Sequence, residues 1–311
     1  MKTTTAFAFL SLVLVCGTAA YADTFGSGSN TFAIEFVTIG NLGNAPDMTG
    51  EPTPPHQTGK VDYTYRIGKF EISEQIIDKA NALGGLFITK NTRGENKPAT
   101  NVSWVEAARF VNWLNTDSGS TPAYKFNGFA FQLWQPTDAG YDPNNLYRNS
   151  QAKYFLPSVD EWYKAAYYDP TAGVYYNYPT GSDSVPTAVA SGTAVDTAVY
   201  DQSIASGPAD ITQAGGLSPY GTMGQGGNVW EWEETDKDLV NGSGSSARGV
   251  RGGSWGNASV RLLSSVRING SHPSIGLIDV GFRVASIPEP TTHALALVAF
   301  CLATATWRKE P

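Results

Sequence analysis

Apolar residues recur along this chain with a period that changes from segment to segment, and each period predicts an element. Phe32 to Ile39 alternates apolar with polar positions, the pattern of a strand with one buried face. A second alternation over Tyr63 to Ile72 predicts another strand, which leads into a helix from about Ser73 to Leu83 closed by Gly84-Gly85. The clearest helix runs from Ser103 to Asn115. Ser103 and Glu106 form a capping box, each side chain accepting a backbone N–H that the helix start leaves without a partner. Trp104, Ala107, Ala108, Val111 and Leu114 then repeat at helical spacing. The same device opens Val159 to Tyr168. There Ser158 and Glu161 are the box, Trp162, Ala165 and Ala166 share a face, and Asp169-Pro170 is the stop. Asp160 and Glu161 sit in the first turn, at the positive end of the helix dipole, so their position predicts capping rather than acid catalysis.

Between these segments the periodicity fades. Asp23 to about Asp62 is rich in Gly, Asn, Pro and Thr around the single Phe32–Ile39 alternation. Asp169 to Tyr220 is a long run of Gly, Ser, Thr, Ala and Pro. Unpatterned stretches of that length are either functional or mobile. No repeat and no Pro- or charge-rich linker interrupts Tyr63 to Ser286, so one domain over residues 23–286 is predicted, near the upper size for a single core. Few helices, scattered short strands and long loops place it in the α+β class.

Composition narrows the function classes. The 311 residues carry a formal net charge of -7, with 41% hydrophobic and 16% charged residues, which fits a globular body and an acidic surface. Nucleic acid is not an expected partner, because the Lys and Arg residues are scattered rather than clustered against phosphates. The two ends differ from the body. Lys2, an apolar run from Ala6 to Val15 and Ala20-Tyr21-Ala22 make a signal peptide over residues 1–22, with export and a mature start at Asp23 expected. Lipid attachment at Cys16 is disfavoured by the bulky Val15 before it. At the other end, Pro288-Glu289-Pro290-Thr291 precedes a mostly apolar run from Ala294 to Trp307, closed by Arg308 and Lys309. That run is short for a permanent membrane span. Residues 287–311 resemble a bacterial PEP-CTERM sorting tail. The resemblance implies transient membrane attachment, partners in the sorting and processing machinery, and a destination at the cell surface or in the extracellular matrix. Both cysteines, Cys16 and Cys301, fall in these end segments, so the predicted mature domain has no thiol for a disulfide, a metal or a nucleophile.

Three motifs near the end of the domain carry the strongest signal. They are Gly226-Gly-Asn228-Val-Trp230-Glu231-Trp232, Arg251-Gly-Gly-Ser254-Trp255 and Gly281-Phe282-Arg283-Val284, and upstream Leu156-Pro157-Ser158 leads into Glu161-Trp162. In this order they resemble the formylglycine-generating enzyme family, also called sulfatase-modifying factors. The resemblance implies a fold related to C-type lectins with little regular secondary structure. It also implies an oxidase whose two cysteines bind copper. Those positions fall here on Asn257 and Leu262, which cannot hold a soft cuprous ion, so no copper is expected.

Trp230 and Ser254 match positions that line the family's active-site pocket, and with Trp255 and Asn257 they form the candidate ligand pocket. The family's calcium site implies carbonyl ligands at Gly227 and Val229 and a carboxylate ligand at Glu231. A further oxygen ligand falls on Gly224, which has no side chain. At a second family calcium site the expected asparagine falls on Val199. The other role open to Glu231 is that of a buried carboxylate satisfied by hydrogen bonds without metal.

Other chemistries find little support. His56, His272 and His293 lack metal-ligand spacing, and a serine triad drawing on His272 is not favoured. The family's sulfoxide synthase branch needs a histidine-rich helical domain that is not in this sequence. Aromatic residues at Tyr167-Tyr168, Tyr175-Tyr176, Tyr178 and Phe131 to Trp134 lie in or beside loops, where rings stack on sugars or peptides as readily as they fill a core. The expected function is therefore a non-catalytic protein binding an extracellular glycan, peptide or matrix partner. Cysteine-independent oxidation and a purely structural matrix role remain the alternatives.

Overall fold

The computed structural model describes residues 21–52 and 55–288; most of the signal segment (1–20) and of the sorting tail (289–311) lies outside the described residues. Two sheets organise the body. The first orders its strands Tyr21–Phe25, Phe32–Ile39, Tyr65–Gly68, Ala285–Ser286 and Tyr154–Phe155, all antiparallel. The last described strand thus lies between two from the first half of the chain, which closes residues 21–286 into one unit. The second sheet orders Ile268–Asn269, Arg248–Arg251, Trp230–Asp236 and Val280–Gly281, and its Trp230–Asp236 strand pairs antiparallel on one side and parallel on the other.

Three α-helices form where capping and periodicity predict them. In α1 (Glu74–Gly84) the Ser73 hydroxyl accepts the Ile76 N–H, and Gly85 ends the helix in the left-handed region at φ 56°. α2 (Trp104–Asp117) and α3 (Val159–Tyr167) both carry complete capping boxes. The α2 stripe Trp104, Ala107, Ala108, Val111 and Leu114 is fully buried. Burial of each large apolar side chain in it contributes about 1.5–3 kcal/mol. Among the described residues no helix is long and apolar enough to cross a membrane.

Three departures from the sequence pattern have physical causes. The strand expected over Tyr63 to Ile72 is confined to Tyr65–Gly68. At Gly68 the chain crosses to another segment: the Gly68 N–H bonds to Val284 O and the Ile72 N–H to Phe282 O. Tyr21–Phe25 is an unforeseen edge strand, largely exposed, with Ala22 and Asp23 both inside it. The Asp23 carboxylate is gripped by Arg66, 2.6 and 2.9 Å away, and by the Tyr154 hydroxyl at 2.6 Å. Burial opposes its charge, but these bonds outweigh it and hold the Asp23 carboxyl below its ordinary range.

The 169–220 run is pinned rather than loose. Isolated bridges join Gly192 to Ala214 and Val199 to Gly227, while Tyr178, Ala198, Val199 and Tyr200 are buried.

Candidate functional site

The Trp230–Asp236 strand is buried along its whole length although four of its seven residues are acidic. Isolated charges at that depth would cost several kcal/mol each, so each needs partners. Arginines from distant segments supply most of them. Arg283 donates to both Glu231 oxygens, at 2.5 and 2.6 Å, and the Trp162 indole N–H adds a third bond at 2.7 Å. Glu233 receives Arg251 at 3.0 Å and Arg267 at 2.6 Å. A register shift between Trp232 and Asp236 turns the strand. Glu234 then meets Arg148 at 2.8 Å and the Tyr124 hydroxyl at 2.7 Å. Arg148 also forks onto Glu161, both bonds 2.9 Å, which ties the α3 capping box into the same network. Burial raises the Glu161 carboxyl, yet the Arg148 charge and its hydrogen bonds bring it below the ordinary value.

This network decides how the proposed metal ligands stand. Gly227 adopts φ 89°, and a Cβ there would lie 2.2 Å from Val199 O, so only glycine fits. Its N–H bonds to Gly252 O at 2.8 Å, joining the first motif to the second. Val229 is sealed in an apolar cluster with Val199, Ala209 and Trp255. At Gly224, a Cβ would lie 2.5 Å from Glu71 Oε1: the buried Glu71 carboxylate fills the space where a side-chain ligand at 224 would reach. Calcium requires six to eight oxygens. Both Glu231 oxygens are bonded to a guanidinium, and a cation between them would meet the Arg283 charge. The donor set does not fit a calcium site built on Glu231.

Glu71 itself was not singled out by the sequence, because continued alternation beyond Gly68 would have made it one more strand residue. Its Oε1 accepts from Asn228 Nδ2 at 2.8 Å, while Oε2 is buried without a hydrogen bond. Burial pushes the Glu71 carboxyl up to about 7; Arg283 opposes the rise and Glu231 adds to it. Asn228, at φ 58°, also accepts the Ala209 N–H through Oδ1 and the Trp255 N–H through its carbonyl. One residue thus connects the acidic core to the Arg251–Asn257 segment.

In that segment Ser254, Trp255 and Asn257 come together. The Ser254 hydroxyl lies 3.0 Å from Asn257 Oδ1 and 3.0 Å from Asp279 Oδ2, and the Ser254 N–H donates to Asn257 Oδ1 at 2.9 Å. Ser254 and Trp255 are fully buried, and Arg93 stacks over the Trp255 ring at 5.1 Å. Trp230 reaches this group only through its backbone, whose N–H bonds to Asp279 O at 2.9 Å; its side chain belongs to the main core cluster. Leu262 is fully buried against Tyr178, Ala198 and Tyr200. Asp279 and Arg93 complete the group and were not legible in advance, since neither lies in a quoted motif.

Comparison with known proteins agrees with this architecture. Residues 36–287 match the model of the "Sulfatase-modifying factor enzyme 1-like domain" family. A hercynine oxygenase of Mycolicibacterium thermoresistibile is 33% identical over 147 residues, which are 42% of this chain and 31% of that protein, so the chain spans about a third of that relative. Among solved structures, Treponema denticola variable protein 1 superposes with a TM-score of 0.59 at 20% identity, covering 87% of this chain and 100% of that one. CarF gives 0.55 at 18%, covering 82% and 99%, and PvdO from Pseudomonas aeruginosa gives 0.53 at 17%, covering 86% and 98%. The chain shares their C-type-lectin-like fold.

Proposed function

The chain belongs to the sulfatase-modifying factor enzyme 1-like domain family, and from that premise we propose that it is an exported, non-catalytic member that holds a ligand or matrix partner at the cell surface. The observation that carries this reading is Leu262. A fully buried leucine among tyrosines stands where the resemblance places the second thiol. Around the first thiol position, Asn257 uses its side-chain oxygen to bond Ser254 rather than presenting a reactive group. Family membership rests on the scaffold, and a scaffold does not carry activity without the groups that perform it.

Export and retention rest on the two end segments of the sequence, with the tail recognised and removed by membrane-bound processing machinery. The binding reading takes support from the loop-rich surface and from a former catalytic segment whose Ser254, Trp255 and Leu262 side chains are internal. The test is a cuprous-ion competition against a chromophoric chelator. With no thiolate in the mature domain, the protein should leave the chelator's colour unchanged at equimolar copper; stoichiometric withdrawal of copper from the chelator would overturn the reading.

A second reading, oxidation by cysteine-independent means, is favoured by the oxygenase relative. It requires a polar group able to hold a redox metal near Ser254. His272 is exposed and its Nδ1 accepts the Ser274 N–H, an arrangement local to its own turn.

A further inference from the structure

We propose that the end of the first sheet from which both end segments leave is the face this protein lays against a lipid bilayer. The inference deepens the attachment reading above and rests on it, because it names the surface of the body that meets the membrane. Strand directions locate that end. Phe32–Ile39 runs antiparallel to Tyr21–Phe25 and to Tyr65–Gly68, and Ala285–Ser286 runs antiparallel to Tyr65–Gly68. Residue 21 therefore enters, and residue 287 leaves, where Ile39 stops and Tyr65 begins.

One guanidinium holds the two ends side by side. Arg66 donates from Nη1 and Nη2 to the Asp23 carboxylate at 2.9 and 2.6 Å, and from Nε to Ser286 Oγ at 3.0 Å. The Ile287 N–H is fixed on Lys153 O at 2.9 Å. The apolar runs Ala6–Val15 and Ala294–Trp307 lie six residues before Tyr21 and seven after Ile287. At about 3.5 Å per residue, each run starts within roughly 25 Å of the same end. A single tether leaves a body free to turn. Two tethers from one end set which end faces the bilayer.

The surface at that end suits an interface. Tyr21, Leu42, Tyr63 and Ile287 are 62, 57, 43 and 40% exposed. Leu42 follows Ile39 by three residues, and its turn is tied to the body through Asn41. The Asn41 carbonyl accepts from Lys164 Nζ at 3.2 Å, and its Nδ2 donates to the Tyr168 hydroxyl at 2.5 Å. Tyr63 lies just before the Tyr65–Gly68 strand. Its hydroxyl donates to Glu161 at 2.5 Å, so the exposed ring carries no unpaired polar tip into lipid. Tyrosine rings and aliphatic side chains of this kind favour the boundary between headgroups and acyl chains. The neighbouring charges of Lys60 and Asp62 pair with each other at 3.3 Å and offer no net charge to select anionic lipid. At the opposite end of the sheet, the turn between the first two strands is Gly28-Ser29-Asn30, which offers no apolar side chain.

The test is the full chain made by cell-free synthesis in the presence of phosphatidylcholine vesicles. With Cys16→Ala and Cys301→Ala in place, a single environment-sensitive fluorophore is attached at Leu42→Cys or at Ser29→Cys, both exposed positions. In chains recovered with vesicles by flotation, emission from position 42 should shift to the blue. Acyl-brominated lipid should quench it several-fold more strongly than emission from position 29. Should the labelled Leu42→Cys chain lose the wild-type melting temperature, Tyr21→Cys carries the same expectation. Equal quenching at the two ends of the sheet, or none at position 42, in chains that float would overturn the face while leaving membrane attachment standing. A blue shift at position 42 that grows with the protein-to-lipid ratio and resists brominated lipid would assign the face to a second copy of this chain and overturn the bilayer. Chains that do not float would overturn the attachment reading together with this face.

Discussion

Neutralising one buried acid should stabilise this protein at neutral and alkaline pH. Glu71 is 1% exposed, with Oε1 bonded to Asn228 and Oε2 buried without a partner. Burial is the main cause that lifts its carboxyl from 4.5 to about 7. A carboxyl raised in the native state keeps its proton between those two values while the unfolded chain has lost it. Stability therefore falls as pH climbs from 4.5 to 7 and is level above. Integrated across that interval, the loss is about 3 kcal/mol. Glu71→Gln removes the charge and keeps an oxygen for Asn228, but it places an amide N–H₂ where Oε2 had no partner, at a cost of about 1 kcal/mol. The variant should be about 2 kcal/mol more stable than wild type at pH 8 and slightly less stable at pH 4.5. Urea unfolding at pH 4.5, 6 and 8 measures both curves, and the wild-type decline between 4.5 and 7 should flatten in the variant. An equal loss of stability at all three pH values would refute the reasoning, since it would make the Glu71 charge a favourable structural element.

Arg283→Met strips two bonds from Glu231 and the donors to Gly68, Lys69 and Met223 carbonyls. Denaturant unfolding should record a loss of about 3–5 kcal/mol, part of it recovered by adding Glu231→Gln; a loss below about 1 kcal/mol would show the pair to be dispensable. Gly227→Ala sets a methyl 2.2 Å from Val199 O at a positive φ. It should cost about 3 kcal/mol or more by the same assay, and near-neutrality would contradict the packing described. Calcium and chelator should leave the wild-type melting temperature unchanged within about 1 °C, because Glu231 is already paired; a calcium-dependent rise would reveal an open metal site.

Local chemistry was legible in the sequence wherever one segment contained its own cause. Both capping boxes and the α2 stripe form as the spacing predicts, and Phe32–Ile39 is a strand over its whole predicted range. The motif order identified the family and with it the C-type-lectin-like fold. What stayed hidden depends on partners far away in the chain. Nothing in Trp230-Glu231-Trp232 announces that Arg283 will saturate the glutamate, or that Glu71 will fill the space beside Gly224. The Tyr21–Phe25 strand was missed because its exposed residues show no apolar alternation and only pairing with Phe32–Ile39 makes it a strand. The 169–220 segment lacks periodicity because single bridges and buried tyrosines hold it, and these leave no repeating pattern.

The central claim is that the family scaffold persists here without its thiol chemistry. The direct measurement is mass spectrometry of a Cys-x-Pro-x-Arg peptide incubated with the protein, oxygen and reductant, with and without cuprous copper, beside an active family member. The account predicts an unchanged cysteine mass in every sample containing this protein alone. Conversion of that cysteine to formylglycine at a rate near that of the active enzyme would contradict it.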